Sequence, residues 1–349
     1  MATIKEVAQI ARVSTATVSH VMNGTKNISD ETKRRVFEAI REANYIPNAV
    51  AKSLRSGLSQ TIGVLVEDIR GLPVPDIVNG ISEALEPTGY SMLLYDLHLL
   101  ERLYNQYEQI GDYRDNINRG ISVLLQSHVN GVIYVGMHDR HLDGLIDPIQ
   151  RPLVFAYSHG SAQEAFVTYS NRESAYQLVE HLIQKGHRRI GLLAGHPHSY
   201  PTMMRLNGYQ MALQKYGLAF DADLLRYGDW SYESGEKEAA AFLERAQRPT
   251  AVFVMNDLMA VGFIHAVQDA GLRVPEDISV AGFDNRECSR YVRPSLTTVD
   301  LPTKEIGMKA AGVLCKMIQN QEGEGKELLL PCRLIERSSV LDLSGNGTV

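Results

Sequence analysis

From residue 61 onward the chain alternates short apolar runs with amphipathic stretches, and that rhythm leaves few folds open. Apolar runs occupy 61–66, 91–95, 132–135, 153–156, 190–194, 251–254 and 278–283, while helical periodicity occupies 171–185, 205–216, 232–244, 257–270 and 302–318. Strands this short, spaced by helices, read as βαβ units, because parallel neighbours need a helical crossover between them. Parallel sheets covered on both faces follow. At 349 residues the chain also exceeds what one core usually fills. The expected architecture is therefore a small N-terminal module followed by two α/β lobes with a cleft between them.

The first sixty residues have a different chemistry. They hold nine Lys and Arg against five Asp and Glu, a net +4, so with −6 overall the remainder carries −10. A basic segment on an acidic body suits a partner made of phosphates. Thr3 and Glu6 fit a capping box, and Ile4, Val7, Ala8 and Ala11 give one apolar face behind it. After a break at Arg12-Val13, Ser14 caps a second helix that runs to about Asn23, with Val18, Val21 and Met22 inward. Ala16, Ser19, His20 and Asn23 form an outward stripe without a carboxylate. A third helix, capped near Ser29, is expected to turn Val36, Phe37, Ile40 and Ala43 inward. Two short helices across a tight turn, the second presenting small polar side chains, describe a helix-turn-helix.

The phrases TIKEVAQIARVSTATVSHVMNG and NYIPNAVAKSLRSG make this module specific. They resemble the headpiece of the lactose/galactose repressor family, most of all its purine repressor branch, without a gap over residues 2 to 58. The resemblance implies that Thr15, Ala16 and His20 read base edges in the major groove, and that Thr17, Ser19 and Asn23 fix phosphates. It also implies a hinge helix that forms only on DNA beside its dimer mate. Ala51, Leu54 and Arg55 would lie in the minor groove there, Leu54 wedging a base step apart. In isolation so short a segment does not hold a helix.

KGHRRIGLLAG, RPTAVFVMND, DISVAGFDN and PSLTTVDLP extend the same resemblance over nearly the whole chain. It implies a two-lobed domain like that of periplasmic sugar-binding proteins, over residues 60–343. The N-lobe would take 60–168 and 298–322, the C-lobe 169–297 and 323–343. Open parallel sheets bind ligands beyond the carboxyl ends of their strands, which selects Arg205, Trp230, Asn256, Asp257 and Asp284. A carboxylate, a guanidinium and an indole converging on one spot suit a sugar or sugar derivative; a nucleobase or nucleoside is the alternative. Asp257 could equally be a helix cap and Trp230 a core aromatic. The N-lobe half of the site departs from the family at residues 70–75, at Tyr157 and Ser158, and in a long connection over 97–126, read as a solvated insertion or a segment near the cleft mouth.

Other function classes lack their machinery. No GxGxxG, GxSxG, HExxH or P-loop is present, so catalysis is not expected; His196 and His198 are the nearest approach to a pair. Cys288, Cys315 and Cys332 form no metal-ligand spacing, and no cofactor or metal is expected. No apolar stretch is long enough to span a bilayer, and MATIKEVAQIARV has charges where a signal peptide has its apolar core, so a cytoplasmic protein is expected and an export receptor is not. After Val340 only LDLSGNGTV remains, too short for tetramerising heptads, so the expected state is a homodimer on a palindromic operator.

Overall fold

The computed structural model describes residues 2–23, 28–45, 60–104, 106–161, 163–320 and 327–346. Ala51, Leu54 and Arg55 lie outside them. The chain divides into two compact units, residues 1–60 and 61–349.

The first unit holds helices α1 (Ile4–Ile10), α2 (Thr15–Asn23) and α3 (Asp30–Glu42). The capping box forms: Glu6 N–H donates to Thr3 Oγ1 at 3.4 Å, and Thr3 N–H donates to the Glu6 carboxylate at 3.0 Å. Arg12 takes a left-handed φ of 52°, which lets Val13 N–H reach back to the Ala8 carbonyl at 2.9 Å and ends α1. Ser14 Oγ then accepts from Thr17 N–H at 3.0 Å, starting α2. Asn44, with φ 48°, ends α3 by the same device. Val7, Ala8, Ala11, Val18, Val21, Val36 and Ala39 make the small core. Phe37 does not join it. At 48% exposure it departs from the inward placement expected, because Val36, Ile40 and Ala43 already define the face and Phe37 sits one residue around it.

The second unit is built on two parallel sheets. The N-lobe sheet contains β1 (Thr61–Val66), β2 (Ser91–Asp96), β3 (Gly131–Val135), β4 (Leu153–Ala156), β5 (Ala165–Tyr169) and β11 (Glu327–Leu330), in the order β11-β5-β4-β3-β1-β2. The C-lobe sheet orders β6 (Ile190–Ala194), β7 (Leu225–Tyr227), β8 (Ala251–Val254) and β9 (Ser279–Ala281) as β7-β6-β8-β9. Most central strands are buried on every residue, which explains why they read as continuous apolar runs. Helices α4 (Val74–Leu85), α5 (Leu100–Leu103) and α6 (Arg114–Gln126) belong to the N-lobe. Helices α7 (Asn171–Gln184), α8 (Tyr200–Lys215), α9 (Tyr232–Leu243), α10 (Asp257–Asp269) and α11 (Cys288–Tyr291) belong to the C-lobe. Helix α12 (Thr303–Ile318) returns to the N-lobe and packs on α4, where Gly307 faces the Ile77 backbone too closely for a Cβ.

The lobe boundaries need one correction. Residues 327–330 were expected in the C-lobe, but β11 pairs in parallel with β5, from Glu327 opposite Phe166 to Leu330 opposite Tyr169. The final return therefore follows Leu330, because the open edge of β5 takes β11 as its partner. Strands β10 (Thr298–Asp300) and β12 (Arg333–Ile335) then pair antiparallel as two of the crossing segments between lobes.

Candidate functional sites

The sequence places the DNA-facing candidates on one helix. Thr15 and Ala16 are exposed in the first turn of α2, with Thr17, Ser19 and His20 half-buried behind them, and Asn23 is its last residue. Val18 and Val21 are buried on the opposite side, so packing fixes which face the helix shows. The Thr17 hydroxyl lies 2.9 Å from Ser14 Oγ and thus helps hold the helix start as well as facing outward.

The second site is a cavity of about 380 Å³ at the carboxyl ends of both sheets. Arg205, Trp230, Asn256 and Asp284 line it from the C-lobe. Arg205 is buried and held on all sides. Its Nε donates to Asn171 Oδ1 at 2.8 Å, Nη2 donates to the Tyr169 hydroxyl at 2.9 Å, and Nη1 donates to the Met255 carbonyl. Its guanidinium lies 3.7 Å from the centre of the Phe283 ring and 3.8 Å from Asp284 Oδ1. The other oxygen of Asp284 is 3.2 Å from Arg286 Nε. Burial pushes the Asp284 carboxyl up, and the two guanidinium groups oppose that shift.

Local backbone strain sharpens this corner. Trp230, Asp284, Asn285 and Tyr157 all take positive φ, at 72°, 113°, 54° and 58°. Non-glycine residues adopt that region at a cost, and such residues cluster where a side chain must be aimed. The indole of Trp230 lies so close over Gly195 that a Cβ there would collide with its ring, so the residue that follows β6 must be glycine. Among the described residues, Trp230 Nε1 has no hydrogen-bond partner.

Two of the sequence candidates are struts. Asn256 lines the cavity, but its Oδ1 caps α10 through Met259 N–H at 2.9 Å and its Nδ2 donates to the Trp230 carbonyl at 2.9 Å. Asp257 is not among the lining residues. Fully buried, it accepts from Thr298 Oγ1 at 2.6 Å and from Arg286 N–H at 2.7 Å, tying β10 and the Asp284 loop to α10. Burial pushes its pKa up to about 8, with Asp284 acting in the same direction.

The sign of that shift gives a prediction. A carboxyl whose folded pKa lies above its unfolded value contributes stability below about pH 4 that is lost as pH rises toward about 8. Asp257 should therefore lower the melting temperature of the unaltered chain as pH rises from 5 to 8, and Asp257→Asn should remove that contribution. Parallel melting profiles for the two proteins would count against a protonated Asp257.

The N-lobe wall contains residues that the sequence reading passed over. His138 and Asp139 follow β3, where the strand-end rule would have found them. His138 stacks on Tyr107 with ring centres 4.3 Å apart and meets the Trp230 ring edge-on at 5.7 Å. Burial and nearby Arg140 hold its imidazole well below the usual histidine range, so it is neutral. Asp139 accepts from Asn171 Nδ2 at 2.6 Å and from Thr168 Oγ1 at 3.2 Å. Asn171, the first residue of α7, thus joins Asp139 of one lobe to Arg205 of the other. Arg70, Gly71, Leu72 and Pro73 also line the cavity, but Arg70 is already engaged by Asp68 at 3.1 Å and Glu101 at 2.7 Å. Asp68, Asp96 and His98 come together on this side, yet the Asp68 and Asp96 carboxylates already accept from Arg70 and from the backbone N–H groups of Ile69, His98 and Leu100.

A helix-turn-helix unit joined to two parallel-sheet lobes around a polar, aromatic cleft defines a regulator of transcription built on a periplasmic-binding-protein-like domain. Residues 3–48 match the bacterial regulatory proteins of the lacI family, and residues 179–340 match a periplasmic binding protein-like domain. The HTH-type transcriptional repressor PurR of Vibrio atlanticus is 33% identical over 353 residues, covering 99% of this chain and 100% of that one. PurR of Aliivibrio salmonicida is 32% identical, covering 97% and 99%. Among solved structures, the lac repressor dimer bound to operator and the anti-inducer ONPF superposes with a TM-score of 0.80 at 30% identity, covering 97% and 99% of the two chains. A complex of the transcriptional regulator CelR with cellobiose gives 0.65 at 29% identity, covering 97% and 100%. The chain belongs to the lacI family. It is a cytoplasmic transcriptional repressor of a non-enzymatic family, as its sequence implied.

Proposed function

We propose that this repressor binds a palindromic operator as a homodimer and is controlled by a sugar or sugar derivative held in the cleft. Thr15, Ala16 and His20 would read bases, Thr17, Ser19 and Asn23 would hold phosphates, and Ala51, Leu54 and Arg55 would enter the minor groove. Support comes from the likeness to a lac repressor dimer bound to operator over 97% of this chain. Arg205, Trp230 and Asp284 would contact the effector, with Asn256 and Asp257 setting their loops.

The observation that carries the sugar reading is the corner where Asp284, paired with two guanidinium groups, lies beside an indole whose N–H has no partner among the described residues. Carboxylate oxygens accept from hydroxyls, the indole N–H donates to one, and the indole face covers an apolar ring surface. Aromatic density favours a second reading, a nucleobase or nucleoside, since Tyr107, His138, Tyr157 and Trp230 all present planar faces.

A thermal-shift panel of sugars, sugar derivatives, nucleobases and nucleosides separates the two. A ligand at a hundred times its dissociation constant adds ~2.7 kcal/mol to the folded state. Sugars alone should raise the melting temperature. A rise with nucleobases alone would replace the first reading by the second.

A further inference from the structure

We propose that Tyr107–Tyr113 is a strap across the mouth of the cleft, with Tyr107 forming part of the effector's wall and Glu108 fastening the strap to the opposite lobe. The segment lies in the long connection over 97–126, whose sequence fits either a solvated insertion or an extra helix or loop near the cleft mouth or the dimer face. The residues before it are anchored: Leu99 and Leu103 are buried, Leu99 N–H donates to the Glu67 carbonyl at 2.9 Å, and Leu100 N–H donates to Asp68 at 3.0 Å, while within the strap Ile110 alone is buried. The strap itself is a 3₁₀ run of seven residues, longer than the three or four such a helix usually holds. Long 3₁₀ stretches mark places under strain or able to rearrange.

Two contacts carry the strap over the cleft. Tyr107 lines the cavity and stacks at 13° on His138, which in turn meets Trp230 of the C-lobe. Glu108 Oε1 lies 3.4 Å from Nδ1 of His196, on the C-lobe loop after β6, and both side chains are one-third exposed. Tyr107 rests on the N-lobe wall through His138, whereas Glu108 reaches the C-lobe. Removing either contact therefore loosens the strap without touching Arg205 or Asp284. An effector reaching that corner passes the strap, and Tyr107 limits which ring substituents fit beneath it.

The inference rests on the cavity being the effector site, but its test reads the cavity itself. Trp230 is the only tryptophan of the chain, so emission excited selectively beyond the tyrosine band reports from this corner alone. Acrylamide quenching of the full-length protein should rise severalfold in Tyr107→Ala. In Glu108→Ala it should rise by a factor of roughly 1.5 to 5, the range that a partly exposed polar contact of up to about 1 kcal/mol sets on an opening equilibrium. Tyr104→Ala, at a side chain that is 69% exposed, serves as a control and should quench like the unaltered protein. Melting curves confirm that each variant is folded. Unchanged quenching in folded Glu108→Ala overturns the strap even if Tyr107→Ala responds, because Tyr107 would then be a fixed wall. Unchanged quenching in both overturns the whole proposal, whichever ligand class proves correct.

Discussion

A chain beginning at Thr61 should bind operator DNA at least about a thousandfold more weakly than the full chain, the lower end of the gap between specific and non-specific affinity. Residues 1–60 hold the +4 segment and the reading helix, whereas the remainder carries −10 and repels a phosphate backbone. The two parts are separate compact units with their own cores, so the shortened chain should keep its fold and its melting response to effector. For the full chain, log affinity should fall linearly with log salt, with a slope of about −0.9 for each phosphate neutralised. A gel-shift titration measures both. Residual operator binding by the shortened chain, at an affinity near that of the full one, would move the reading surface out of α2.

How much of this was legible in the sequence follows from where the chain hides its signals. The headpiece was readable almost residue by residue, because caps are local: Thr3, Glu6 and Ser14 act within four residues of themselves. Phe37 was misplaced since a four-position apolar cluster covers more arc than the small core can bury. In the large domain the strands that read as continuous aliphatic runs were plain, but β5, with Thr168 and two aromatics, and the short, polar-containing β7, β10 and β12, together with β11, were not. That cost the lobe boundary, which depends on β11 finding β5. Helix α8 starts at Tyr200, five residues before the reading placed it, although Ser199 and Pro201 are ordinary start signals.

The site was legible where one strand end supplies one side chain. Arg205, Trp230 and Asp284 came from that rule and do converge. Asn171 and Tyr107 did not, because their roles exist only once two lobes meet; His138, just after β3, was open to the same rule and was passed over. Asn171 looks like an unremarkable first-turn residue until its amide is seen to bridge Asp139 and Arg205. Asp257 shows the converse. A carboxylate at a strand end is a good ligand candidate in sequence, and only the Thr298 and Arg286 contacts reveal it as a strut.

The same network decides what the most informative substitutions will do. Arg205→Ala should cost roughly 3–5 kcal/mol of folding stability, the usual result of leaving a buried partner uncompensated. Asn171 Oδ1, the Met255 carbonyl and the Tyr169 hydroxyl would each lose a donor, and Phe283 would lose the cation stacked on it. Asp284 would keep only Arg286. Effector binding lost in this variant therefore says little by itself. Asp284→Asn is the cleaner change, since the side chain keeps its shape and gives up only the charge that Arg205 and Arg286 face. It should stay folded, bind operator like the unaltered chain, and lose effector affinity by about ten- to a hundredfold, the scale of one charge-assisted contact of about 1.5 to 3 kcal/mol. A ligand shifts the balance between DNA-competent and incompetent lobes only through its differential affinity for them, so the operator response should vanish with the binding. Denaturant unfolding of both variants, calorimetry with the effector found in the thermal panel, and operator titration with and without it make the comparison. If folded Asp284→Asn keeps both the effector's dissociation constant and its effect on operator binding, the contact lies elsewhere in the cavity, and the wall of Tyr107, His138 and Tyr157 becomes the site to alter next.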